Sequence, residues 1–209
     1  MKYEEAYIHI DNLLDKTGTG YFTDDEKNKF LDLATWEYTE YLVNSLESDA
    51  EAMTKIAPLV VGNSDLSKIP LGDGFRISLP NDLYHILRAR TIEGDYNINI
   101  VSYNEYESFK KDPFHKPTIE SPLGYLKGTE LYMYLVVFGN ASDVHIDYIK
   151  NPHTTYTGGT GIGDFNVEVG GLSKRCSNEI VNIAVRKMML SLEDPRYQLQ
   201  INELSADKR

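Results

Sequence analysis

With 209 residues and 41% hydrophobic side chains, the chain can bury a real core as one large domain, or as one domain with an extended appendage. It has no run of eighteen apolar residues, which argues against a membrane-spanning helix, and its single cysteine, Cys176, rules out an intrachain disulfide. The formal net charge of −11 sits mainly at the front: residues 1–52 hold 13 Asp/Glu against 4 Lys/Arg, and the remainder holds 19 against 17. Phosphate contact needs Lys and Arg, so the first quarter is not a DNA-gripping segment. It reads as a solvated acidic helix face, or as a surface that repels nucleic acid or meets a basic partner. The opening MKYEEAYIHIDNLL lacks the basic flank and apolar stretch of a signal peptide, so cytosolic synthesis is expected.

In chain order, Tyr3, Tyr7, Ile10 and Leu14 recur at helical spacing and predict a short helix over 3–15. The run Thr17-Gly18-Thr19-Gly20 stops it. Thr23 followed three residues on by Glu26 is a capping box, with Asp24 and Asp25 adding charge at the positive end of the helix dipole. The buried stripe of that second helix is expected at Phe30, Ala34, Tyr38, Leu42 and Leu46. A third helical stretch over 49–57 ends before Pro58.

Residues 62–74 carry Gly62, Asn63, Pro70, Gly72 and Gly74, which is loop chemistry. Residues 75–79 alternate as a half-buried strand, and 84–92 suit a second. Asn104 and Glu107 form a further capping box for one or two helical turns before Pro113. Residues 131–138 are rich in aromatic and branched side chains. In the next stretch, Val144, Ile146 and Tyr148 alternate with His145 and Asp147, and 139–143 is expected to join the two strands as a hairpin loop. Residues 154–173 are rich in Gly and Thr and predict a mobile loop or extended arm that orders against a neighbour. A last helix over 177–192 carries Ile180, Ala184, Met188 and Leu192 as one stripe, widened by Val181, Val185 and Met189. Asp194-Pro195 ends it, and the polar tail after Glu203 is expected to fray.

The expected architecture is α+β. An N-terminal helical hairpin is followed by a central antiparallel β region and a C-terminal helix packed on the N-terminal helices. One structural domain of residues 1–209 would hold a helical part at 1–60, a β region at 75–153, a flexible Gly/Thr loop at 154–173 and a closing helix at 177–202.

Candidate chemistry is sparse. Gly158-Gly159-Thr160-Gly161-Ile162-Gly163 suggests a phosphate loop, but the Lys-Ser/Thr pair that would reach phosphate and magnesium is missing, and Asp164 follows instead. His9, His85, His115, His145 and His153 make no pair at metal-ligand spacing on one element, and Cys176 has no CxxC partner. A Cys–His pair through Cys176 is formally open, without a motif to support it. His145 reads as a solvent-facing strand residue. No catalytic, cofactor-binding or metal-binding residue is therefore assigned. The 15 tyrosines stand out against one tryptophan. Tyr84, Tyr96, Tyr103, Tyr106, Tyr125, Tyr132, Tyr134, Tyr148 and Tyr156 fall on expected strands or loops. Ordinary packing accounts for many, and a surplus also suits protein–protein surfaces.

The stretches DNLLDKTGTGYFTDDEKNKFLDLATWEY, LPNDLYHILRAR, DPFHKPT, DVHIDYIKNP and NEIVNIAVRKMMLSLEDPRYQ resemble virion ring proteins of crAss-like phages of gut Bacteroides, over residues 10–200. The layout is similar to the tail tubular, or gatekeeper, adaptor rings of podovirus-type phages. Residues 154–173 match least. The resemblance implies a structural virion protein made in the host cytoplasm, a ring subunit of a head-to-tail connector or tail barrel. It implies a homo-oligomer of twelve copies that meets the portal protein and neighbouring tail ring proteins. Phage DNA would pass through its channel without specific binding, and no membrane, cofactor or catalytic residue is implied. The acidic first quarter would face either the channel or the outside. A DNA-packaging or head-completion accessory protein that binds the portal without forming a stable ring is the alternative. A small hydrolase would need convergent acid–base or nucleophilic groups.

Overall fold

The computed structural model describes residues 1–17, 22–71, 74–92, 94–112, 114, 117–118, 120–134, 144–152 and 168–191. In chain order the elements are α1 (Tyr3–Thr17), α2 (Asp24–Asn44), α3 (Ala50–Ile56), a 3-10 turn (Ala57–Leu59), β1 (Val60–Leu66), β2 (Lys68–Leu71), β3 (Gly74–Ser78), β4 (Leu83–Thr91), β5 (Asn99–Ile100), α4 (Tyr103–Lys111), β6 (Leu123–Lys127), β7 (Glu130–Tyr134), β8 (Val144–Lys150) and α5 (Lys174–Ser191). Helix and sheet are segregated in an α+β arrangement. The chain forms two compact units: Met1–Leu59 with Pro152–Arg209, and Val60–Asn151. No helix among the described residues is long and apolar enough to cross a membrane.

In the helical unit, α1 buries Tyr3, Ala6, Ile10 and Leu14. α2 starts at the expected capping box. Thr23 Oγ1 accepts from the Glu26 amide at 3.4 Å, and the Glu26 carboxylate accepts from the Thr23 amide at 2.8 Å. Ala34, Tyr38 and Leu42 are buried as expected. Phe30 is only half-buried, edge-on to Phe22 at 5.8 Å, and Leu46 lies beyond the helix. The buried face is instead broadened by Leu31 and by polar side chains, Lys27, Asp32, Thr35 and Thr39. Lys27, 5% exposed, is held by Asp11 of α1 at 2.7 Å and by Asp24 at 3.3 Å, with its ammonium 5.9 Å from the Tyr7 ring. Burial works to lower its pKa, and the two carboxylates more than reverse this, so the net shift is upward. Asp49 caps α3 by accepting from the Glu51 amide at 2.8 Å.

α5 packs on both α1 and α2. Ile180, Val181, Ala184, Val185, Met188 and Met189 are all buried, which is the expected stripe and its widening; Leu192 lies outside the described residues. α5 starts at Lys174, three residues before the expected 177. The preceding residues 168–173, expected to belong to the mobile Gly/Thr loop, are packed. The Val169 amide bonds the Met1 carbonyl at 2.9 Å, Lys2 and Glu168 form a β-bridge, and Val169 and Leu172 are fully buried. Gly170 has φ +70°, and a Cβ there would stand 3.1 Å from Thr35 and 3.2 Å from Ile180. Residues 153–167 lie outside the described set.

The strand unit holds two sheets, ordered β1-β8-β4 and β2-β3-β7-β6-β5. Every pair is antiparallel except β5–β6. They share one core of Ile77, Leu79, Ala89, Ile98, Leu131, Val144, Ile146 and Tyr148. Three expectations are corrected. The segment 62–74 is not a plain loop: β1 and β2 occupy most of it, because its turn-forming residues are accommodated at sheet edges. Gly62 and Asn63 fall where the β1–β8 register shifts, with Asn63 at φ +53°, and Pro70 sits on edge strand β2, where no ladder donor is needed. β7 and β8 do not form a hairpin with each other; they belong to different sheets, and β7 pairs instead with β6, a strand the sequence reading passed over. α4 is capped by Ser102 and Glu105, not Asn104 and Glu107, with the Ser102 hydroxyl accepting from the Glu105 amide at 3.4 Å.

Two substitutions test the helical unit. Thr23→Ala is expected to cost about 1 kcal/mol in urea unfolding. The Thr23 amide and hydroxyl hold the Glu26 carboxyl below the usual glutamate range. That contribution is present at neutral pH and lost as the pH falls through the lowered value, so the Thr23→Ala penalty should shrink in acid. Gly170→Ala forces an L side chain into the left-handed region, and should cost about 1–2 kcal/mol from backbone strain alone, with a lowered thermal midpoint as the readout.

Candidate interaction surface

Tyr125 of β6 and Tyr132 of β7 are direct cross-strand partners, so they share a sheet face, and their rings stack at 5.2 Å with 15° between planes. The tight turn between the strands uses Gly128 at φ +60°. The Ser102 cap starts α4 so that Tyr103 and Tyr106, three residues apart, lie over Tyr125, at 5.1 Å and 4.6 Å. On the other side, Tyr132 is paired in register with Arg76 of β3, and Arg76 with Ile69 of β2. The result is a row across one sheet face: Ile69, Arg76, Tyr132, Tyr125, Tyr103. Tyr106 is buried beneath α4, whereas Tyr103 is 57% exposed.

The row's polar groups hold it in place. Glu130 accepts from the Tyr132 hydroxyl at 2.6 Å and lies 3.4 Å from the Arg76 guanidinium. The bond to Glu130 raises the Tyr132 pKa, and burial raises that of Tyr125. Both phenols therefore remain neutral at physiological pH. Neutral phenol rings beside a guanidinium are the chemistry of protein–protein contact surfaces, where Tyr and Arg are enriched.

The helical unit carries a second surface that the sequence reading missed. α2 buries one face, yet Leu33 is 56% and Trp36 38% exposed on the opposite side, in line with exposed Glu37 and Glu40. Glu37 pairs with Lys187 of α5 at 2.5 Å, and exposed Leu190 follows one turn along α5. The available signal was the Leu33/Trp36 spacing, which is helical but falls off the main stripe. Arg76 also went unnoticed, because strand register is needed to place it beside a tyrosine.

The remaining candidates are scattered. Tyr148 is in the core, with its hydroxyl 3.1 Å from Asp82. Tyr84 and Tyr96 are half-buried, Tyr134 lies on β7, and Tyr156 is outside the described residues. His145 stands opposite Asp65 of β1 in the β1–β8 ladder, its imidazole beside the Asp65 carboxylate and its side chain partly exposed. His9 is half-buried on α1 and His85 is exposed on β4; His115, His153 and the glycine segment 158–163 lie outside the described residues. Cys176 is buried in the first turn of α5, where Ser173 Oγ lies 3.3 Å from its sulfur and the Lys55 carbonyl 4.0 Å. Among the described residues no group of three or more His, Cys, Asp or Glu is placed to hold a metal ion. No model of a known protein family matches the chain, and no curated protein matches it.

The row predicts a graded response. Tyr125→Leu keeps apolar area but loses three ring partners, and is expected to cost about 1 kcal/mol or more. Tyr132→Leu, with one ring partner, should cost less. Urea unfolding of the two variants side by side measures the order.

Proposed function

We propose that the chain is a structural virion protein, a ring subunit of a phage head-to-tail connector or tail barrel. The observation that carries this reading is that one chain presents two unlike contact surfaces: the tyrosine–arginine row on its sheet and the Leu33/Trp36 stripe on α2. Two different, complementary patches are what a head-to-tail ring requires, since each subunit offers one to each neighbour. The resemblance to crAss-like phage ring proteins supports the same reading. Twelve copies would close into a ring below the portal protein, and that ring would meet neighbouring tail rings.

The charge distribution fits passage of DNA without capture. Residues 1–52 carry a net of −9. Such a surface along a channel repels the duplex, and a wall that does not bind does not stall transit. Binding to free duplex would come largely from counterion release by Lys and Arg contacts, and the acidic helices offer few.

The purified chain is expected to give no gel shift with duplex DNA at moderate salt, and electron microscopy of the particle should place it in a closed ring around the DNA axis at near twelve copies. Micromolar duplex binding would defeat the channel argument. A position on the capsid surface or in a fibre would defeat the ring.

A further inference from the structure

The outer face of α2 has the same layout read in either direction, with its end charges reversed. Leu33 and Trp36 form the apolar centre. Lys29 stands four residues before Leu33, and Glu40 four residues after Trp36. All four side chains are exposed, on the side of the helix away from the buried Leu31, Ala34, Tyr38 and Leu42. Spacings of four, three and four residues keep them in one seam, the pattern by which two helices interlock their side chains.

Both end charges are unclaimed. Glu37, beside the seam, is held by Lys187, but among the described residues neither Lys29 nor Glu40 is in an ion pair. Lys29 helps from a distance to lower the Glu26 pKa, and the Glu26 carboxylate itself is bound by Thr23. In the tyrosine row, Arg76 is already held by Glu130, so it is not the cation that answers Glu40. A second copy of α2 answers both charges. Laid antiparallel about a two-fold axis between Leu33 and Trp36, it sets Lys29 of each helix against Glu40 of the other, and Leu33 of each against Trp36 of the other. A parallel alignment in register would set Lys29 against Lys29 and Glu40 against Glu40, so the charges select the antiparallel pair.

We propose that, before the ring assembles, α2 pairs in this antiparallel, two-fold form with α2 of a second copy. The inference rests on the ring reading and adds a state that precedes it. The second copy and a neighbour's tyrosine row exclude one another from the Leu33/Trp36 stripe, and a two-fold pair closes on itself and cannot propagate. The pair therefore withholds the stripe until the ring forms. Its apolar centre is small, so it is weak and opens readily. Residues 1–59 hold 13 Asp/Glu against five Lys and no Arg. That net charge pushes two helical units apart, whereas only Lys29 and Glu40 attract, so screening by salt strengthens the pair.

Trp36 is the only tryptophan in the chain, so its fluorescence reports directly on the contact. Sedimentation velocity and tryptophan emission of the purified full-length chain, followed together across concentration and salt, test the pairing, with far-ultraviolet circular dichroism to confirm that each variant is folded. A dimer is expected that strengthens from low to moderate salt, with Trp36 emission shifting to the blue in step. Leu33→Ser and Glu40→Lys should each weaken it by about tenfold or more. Glu40→Lys also makes the chain less acidic, so net charge alone would strengthen association. Combining Glu40→Lys with Lys29→Glu returns opposite charges to both ends and should restore the dimer. A chain that stays monomeric, one that runs on to larger oligomers without stopping at two, or a dimer that leaves Trp36 emission unmoved or survives Glu40→Lys overturns the proposal. So does a folded double variant that remains monomeric. A monomeric chain that microscopy finds in a ring sinks the pairing and leaves the ring reading standing. An α2 dimer of a chain found outside any ring does the reverse.

Discussion

The helical unit depends on one non-local closure: α5 and the turn before it come back over α1 and α2. Gly170 passes close enough to Thr35 and Ile180 that an added Cβ would stand 3.1 Å and 3.2 Å from their side chains, and its φ of +70° suits glycine. The Val169–Met1 backbone bond ties the turn to the start of α1. Behind it, six apolar residues of α5 fill the groove left by the buried faces of α1 and α2. The interface is not wholly apolar. Thr39 donates to the Thr35 carbonyl at 2.8 Å within α2, and burial beside Glu179 and Cys176 pushes the Tyr38 phenol pKa up.

That closure leaves α2 with an unusual division of labour. Its inner face is committed to α1 and α5, and the apolar side chains it shows to solvent cannot be turned inward without losing that packing. Their exposure is a property of the helix register and not of a loose fit. The sheet unit solves a similar problem differently: its tyrosines are spread in a row that packs ring on ring, so each is partly covered by the next while the row as a whole stays accessible. Edge strands β1 and β2 are interrupted by a register shift and by Pro70, which makes ladder extension by another chain unfavourable. Contacts through side chains are thus better served by this sheet than contacts through backbone.

Where local chemistry decides structure, the sequence was readable. The Thr23/Glu26 box set the start of α2, the apolar spacing set the α5 face, and the alternation of β8 put Val144, Ile146 and Tyr148 in the core. Where the decision is non-local, it was not. Two strands near each other in sequence, β7 and β8, were expected to pair, but each has neighbours elsewhere that complete a sheet. Two overlapping cap patterns preceded α4, and only the one at Ser102 brings Tyr103 and Tyr106 over Tyr125. Gly62, Asn63 and Pro70 carry turn signals that are equally at home at a sheet edge. For the surfaces, the tyrosines could be named in advance, but their stacking order and the place of Arg76 follow from strand register.

The strand unit is a continuous stretch, Val60–Asn151, inserted between the two parts of the helical unit. This has a consequence for synthesis on the ribosome. The strand unit has all its own residues to hand before α5 exists, whereas α1 to α3 must wait for some 115 residues more before their covering helix begins at Lys174. At the usual pace of translation the wait is on the order of ten seconds. During it, Tyr3, Ile10, Leu31 and Leu42 lack their final cover, and the like acidic charge of the same helices opposes close contact between two such uncovered copies. The same acidity would then also protect the half-made chain.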